Sequence, residues 1–70
     1  MSTRKSPPRT PVDILTAALK RERDAYRFYD QLINTTTVSM VQELLEKLRD
    51  EEHKHILIIE QKISKLRGVS

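Results

Sequence analysis

Val41-Gln-Glu-Leu-Leu-Glu-Lys-Leu48-Arg-Asp-Glu-Glu52-His-Lys-His55-Ile-Leu-Ile-Ile59-Glu-Gln-Lys-Ile63-Ser-Lys-Leu66 decides the fold. Taken at alternating steps of three and four, this stretch sets Val41, Leu45, Leu48, Glu52, His55, Ile59, Ile63 and Leu66 along one helical stripe. The segment from Leu15 to Ile33 repeats the pattern with Leu15, Ala18, Glu22, Ala25, Tyr29 and Leu32. Both stripes are apolar toward their ends and ionisable in the middle. A buried carboxylate costs several kcal/mol unless a cation compensates it, and neither stripe contains Lys or Arg. A metal ion is the economical compensation, which makes Glu22, Glu52 and His55 the candidate ligands and the candidate catalytic residues.

The boundaries of two helices follow from local chemistry. Thr10 is suited to cap a helix with Pro11 at its first position and Asp13 near the positive end of its dipole. That helix is expected over residues 11–33. Asn34, Thr35, Thr36 and Thr37 bond their own backbone too readily to continue it, so 34–37 reads as a loop. The second helix is expected over 38–67, with Gly68 as its stop and 68–70 as the chain end. A loop this short makes the pair antiparallel, an all-α hairpin, with helices roughly 33 and 43 Å long. Residues 1–10 hold Arg4, Lys5 and Arg9 without an acid, while the remainder balances ten basic against ten acidic residues. This basic tail reads as disordered.

Composition narrows the chemistry. Seventy residues allow one small domain. With no cysteine there is neither a disulfide framework nor a thiolate site, so any metal must be held by oxygen and imidazole. No run approaches the roughly 20 apolar residues of a membrane span, and the N-terminus has no apolar signal core. A soluble, cytoplasmic protein is the expectation.

Two helices leave their flanks wet. Phe28 lies roughly 120° round its helix from Glu22, and Leu57 and Ile58 also lie off the metal stripe. Such residues call for a partner, and a homodimer closing a four-helix bundle is the simplest solution. Phe28, Leu57 and Ile58 would then join dimers into a larger ring. Di-metal carboxylate bundles take one Glu from each of two helices and a Glu-x-x-His pair from each of the other two. Glu22 with Glu52 and His55 is half of that set, so a dimer would hold two ions. Hard oxygens with imidazole nitrogen favour iron, with manganese as the other choice. The competing reading lets Glu22, Glu52 and His55 pair with one another or with Arg23, Arg49 or Lys54 across an interface.

Other residues weigh less. Tyr29 shares the Glu22 face two turns on, either hydrogen-bonding a ligand carboxylate or serving as an electron donor, or else packing as a core aromatic. Tyr26 flanks the same side and reads as packing. His53 and Glu51 fall roughly 80–120° off the stripe. Asp50 and His53 repeat the three-residue spacing but share that displacement.

Glu22-Arg-Asp-Ala-Tyr-Arg-Phe-Tyr-Asp-Gln31 followed by Leu48-Arg-Asp-Glu-Glu-His-Lys-His55 resembles the paired metal-binding helices of the ferritin-like superfamily. Rubrerythrin-type domains share an Ala-rich helix with Glu before a Phe-Tyr pair, then Glu-Glu-x-x-His. The stronger resemblance is to encapsulated ferritins, in which one chain carries half of the site with the spacing of Glu22, Glu52 and His55. It covers about two-thirds of the chain. The resemblance implies a ferroxidase that oxidises Fe(II) to Fe(III) at a di-iron site shared by two subunits, for iron storage or detoxification, with oxygen or peroxide as oxidant. It also implies rings of dimers and delivery of iron into an encapsulin-type shell, a protein nanocompartment. The family's further helical segment and docking peptide rich in Gly, Ser and Leu are not matched by Arg67-Gly-Val-Ser70. Its acidic pair flanking the first Glu is represented by Arg21 and Asp24.

Two rivals belong to other classes. A non-catalytic hairpin would dock on a larger partner through Phe28, Leu57 and Ile58. A nucleic-acid binder would use the basic tail, but the chain lacks a sustained basic helical face and is poor in aromatics.

Overall fold

The computed structural model describes residues 9–68, and within them the fold is two helices joined by a short turn. Helix α1 runs Pro11–Ile33 and α2 runs Ser39–Gly68. The Thr10 hydroxyl accepts the Asp13 backbone N–H at 3.0 Å, and Pro11 opens the helix where no N–H is needed. α2 begins and ends one residue later than expected. Val38 holds the capping position, its carbonyl accepting from Val41 and Gln42. The Thr36 hydroxyl accepts the Val38 N–H at 3.1 Å, and the Gln42 amide donates back to the Thr36 carbonyl at 2.7 Å. This bonding holds the turn shut and moves the helix start past the threonines. The disordered tail expected over 1–10 lies outside the described residues except for Arg9 and Thr10. So do residues 69 and 70 of the expected chain end.

Little of this hairpin is buried. Among the described residues only Leu19, at 8% exposure, and Ile63, at 9%, form a core. Leu19 lies beside the expected stripe, while Leu15, Ala18, Ala25, Tyr29 and Leu32 are half-buried within it. In α2, Leu45, Leu48 and Ile59 are half-buried, but Val41, His55 and Leu66 are exposed, unlike the stripe expected to cover them. Val41 and Leu66 lie near the ends of the helix, where the partner helix gives least cover.

The two broad faces of the helical pair differ. At roughly 100° per residue, Arg23 and Asp30 lie to one side of Glu22, and Arg49, His53 and Glu60 lie to the corresponding side of Glu52. Because the helices are antiparallel, these flanks form one face. Every polar or aromatic bridge that links the helices off the metal stripe is found there. Arg23 Nη2 donates to Glu60 Oε2 at 2.7 Å, Arg49 Nη1 donates to Asp30 Oδ1 at 3.0 Å, and the Tyr26 and His53 rings lie 6.1 Å apart. The other face carries a set of exposed apolar residues, interspersed with Arg21, Glu51 and Lys62. Ile14 and Phe28 lie roughly 80–120° from Glu22 in the opposite sense, as Met40, Leu44 and Ile58 do from Glu52. All five are exposed. Leu57 is separated from this face, since it lies roughly 100° round the helix from Ile58.

Candidate metal centre

Glu22 projects from the middle of α1, and Glu52 and His55 from the middle of α2. Residues three apart share a helix face, which lets the imidazole of His55 fold back over the Glu52 carboxyl. His55 Nδ1 lies 3.0 Å from Glu22 Oε1 and 3.5 Å from Glu52 Oε1. One ligand atom from each of the three falls within 4.8 Å of the others. An ion about 2.0–2.2 Å from each donor needs them only slightly closer, within the reach of side-chain rotation.

The surroundings are unequal. The side chains of Glu22 and Glu52 are 26% and 19% exposed, whereas that of His55 is 52% exposed. His55 stands at the edge of the apolar face, so the cluster is closed on the ion-paired side and open on the other. Glu52 Oε1 is buried without a hydrogen-bond partner. An orphaned carboxyl oxygen of this kind calls for a proton, a water or a cation.

Cations near in sequence do not supply the compensation. Arg23 is engaged with Glu60, and Arg49 with Asp30 and Asp50. Among the described residues no Lys or Arg pairs with Glu22 or Glu52. Within the single chain the three candidate residues pair with one another and not with Arg23, Arg49 or Lys54.

Without a metal the cluster divides its charge unevenly. Glu22 is held below the ordinary carboxylate value, first by hydrogen bonding with Glu52 and then by that with His55. Glu52 is pushed up by the same bond to Glu22, then by burial and by the neighbouring negative charge. His55 is raised by its hydrogen bond to Glu22. These shifts favour the ionised form of Glu22 and the protonated forms of Glu52 and His55. A divalent ion would replace those protons, since the same oxygens and Nδ1 would then serve as donors.

The remaining candidates fall away from the centre. Asp50 and Glu51 are exposed, and His53 is turned to the ion-paired face beside Tyr26. Among the described residues Tyr29 makes no hydrogen bond to Glu22, Glu52 or His55; its ring packs against Phe28, with centroids 5.6 Å apart. Asp24, standing where the resembled family has an acid, is bound to Lys20 at 3.0 Å and Arg27 at 2.8 Å. No helix is long and apolar enough to cross a membrane among the described residues. No family model, curated protein or solved structure matches the chain.

Proposed function

We propose that the chain is a ferroxidase in which two hairpins close a ferritin-like four-helix bundle and complete a di-iron site from two half-sites. The observation that carries this reading is the convergence of Glu22, Glu52 and His55 without a neutralising arginine or lysine, with one carboxyl oxygen left unbonded. Oxygen and imidazole donors suit Fe(II), with Mn(II) as an alternative occupant.

The chain's residues would divide the work. Glu22 and Glu52 of two chains would supply four negative charges against the four positive charges of two ferrous ions. Their charge favours the ferric product over the ferrous substrate. His55 would give a neutral nitrogen to each half. To serve as that donor, Nδ1 must give up any proton it shares with Glu22. Two Fe(II) ions give up one electron each, and dioxygen takes both with two protons to leave as hydrogen peroxide. The half-buried carboxyls restrict solvent on the ion-paired side, and the open His55 side is where a second half-site would join. A ring of dimers, manganese occupancy and cargo status in an encapsulin-type shell are extensions of the same proposal.

Anaerobic loading of metal-free protein with Fe(II), followed by admission of oxygen, tests the reading. About one iron per chain and one dioxygen consumed per two irons are expected, with absorbance of Fe(III) appearing on the same time course. Protein that retains no iron overturns it. The exposed apolar face then favours the second reading, a non-catalytic hairpin that docks on a larger partner.

A further inference from the structure

We infer that the apolar face bearing Ile14, Phe28, Leu44 and Ile58 is the surface on which a second copy of this chain docks, with α1 of each chain lying on α2 of the other. The inference rests on the reading that the metal site is shared, and it identifies the surface that does the sharing. It differs from the expectation that Phe28, Leu57 and Ile58 form a separate contact between dimers.

The first argument is continuity. His55 is the most exposed of the three ligands and stands on the same flank as Leu44 and Ile58. A half-site can be completed only from the direction in which it is open. On the opposite face, Arg23–Glu60 and Arg49–Asp30 cross between the helices. A copy docking there would have to strip water from both pairs, and it would meet no open ligand.

The second argument is charge. Arg21 lies on the open flank of α1 and Glu51 on the open flank of α2, each roughly 100° round from its neighbouring ligand. Neither makes an ion pair within the chain among the described residues. A two-fold axis parallel to the helices lays α1 over the partner's α2 and brings Arg21 and Glu51 to the same edge of the bundle. The alternative axis, perpendicular to the helices, lays α1 over α1 and α2 over α2. It opposes like charges near the site. A chain whose open face sets Arg21 on one helix and Glu51 on the other, with apolar residues toward both ends, is complementary to itself at these two positions in the first arrangement.

Sedimentation of metal-free and Mn(II)-loaded protein over a range of concentrations tests this without any oxidation step. Two neighbouring residues give the comparison. Ile58→Glu should raise the dimer dissociation constant at least about a hundredfold, because each dimer loses two buried side chains. Leu57→Glu, one residue away and off the face, should leave it within about threefold. A dimer that survives Ile58→Glu, or one that is lost only with Leu57→Glu, overturns the inference.

Charge reversal provides a test that leaves the apolar surface intact. Arg21→Glu and Glu51→Arg should each weaken association about three- to tenfold at low salt, and the double variant should restore it. The losses should shrink as salt screens them. Single variants that associate like the parent would overturn the arrangement, since stacking α1 on α1 predicts no loss. Failure of the ferroxidase reading is read separately: a dimer with these responses but no iron uptake keeps the surface and loses the activity.

Discussion

The closed and open faces of this hairpin are built from the same two helices, yet they handle water in opposite ways. On the closed face the residues flanking the core are Arg23, Asp30, Arg49 and Glu60, which pair across the helices and remain solvated. On the open face the equivalent positions hold Ile14, Phe28, Leu44 and Ile58, which make no bridge between the helices off the metal stripe and are exposed. Surface apolar residues scattered singly need no explanation, but a continuous row of them does. The contrast shows that amphipathicity in a two-helix unit has to be judged around the full circumference. The inward stripes hold the hairpin together, and the flanks determine which face is bridged by ion pairs and which is left with apolar residues exposed.

The largest expected effects come from the ligands at the border of the open face. Glu22→Ala, Glu52→Ala and His55→Ala should each abolish iron-dependent oxygen consumption, while His53→Ala and Asp50→Ala should leave it nearly intact. Iron content and oxygen-electrode traces on the same preparations check this. Damage from the second pair alone would move the centre to the closed face. The comparison can be sharpened with Glu52→Gln. In metal-free protein this variant removes a carboxyl that has one buried, unbonded oxygen and is opposed by Glu22, so the melting temperature should stay level or rise. Iron uptake should nonetheless be lost. A residue that destabilises the empty protein and is needed by the loaded one is held for its ligand.

Much of this was legible in the chain, for reasons that also explain the omissions. The helical period, Thr10-Pro11 and the run of threonines set both helices to within one residue. The interrupted stripes identified Glu22, Glu52 and His55 as a group. What the stripes do not carry is the pairing between flanks. Arg23 and Glu60 are 37 residues apart, and Arg49 and Asp30 are 19 apart. The three- and four-residue steps that select Ala18 pass over Leu19, although Leu19 is one of the two buried residues. Leu57 and Ile58 are adjacent in sequence and look like one patch, but a step of roughly 100° carries the chain round the outer edge of α2 between them. Phe28 and Ile58 then fall on the face that holds His55, leaving Leu57 alone.

A smaller effect should appear in the dependence of stability on pH, with a sign that metal reverses. His55 and Glu52 are raised above their ordinary 6.5 and 4.5. Their contributions are full below those values and are lost as pH rises through the elevated ones. Glu22 is lowered from 4.5, so its contribution is present above that value and fades as pH falls through the depressed one. Metal-free protein should therefore be most stable between about pH 4.5 and 6.5 and weaken above. With Mn(II) present the trend should invert over neutral pH, because the ion competes with the protons on Glu52 and His55. Melting temperatures measured at several pH values, with metal and with chelator, decide the point. Parallel curves would mean that the metal is bound elsewhere.

The smallest effect belongs to the closed face. The Arg23 and Glu60 side chains are half-exposed, and an exposed ion pair contributes only about 0.2–1 kcal/mol. Arg23→Ala should therefore lower the melting temperature by a few degrees at most, and less in high salt, where the pair is screened. It should not change the dimer dissociation constant or the iron-to-chain ratio, since Arg23 faces away from both the open ligands and the docking surface. A double-mutant cycle with Glu60→Ala separates the pair's coupling from the individual losses. If Arg23→Ala instead dissociated the dimer, the face described as closed would itself be an interface, and the distinction between the two faces would fail.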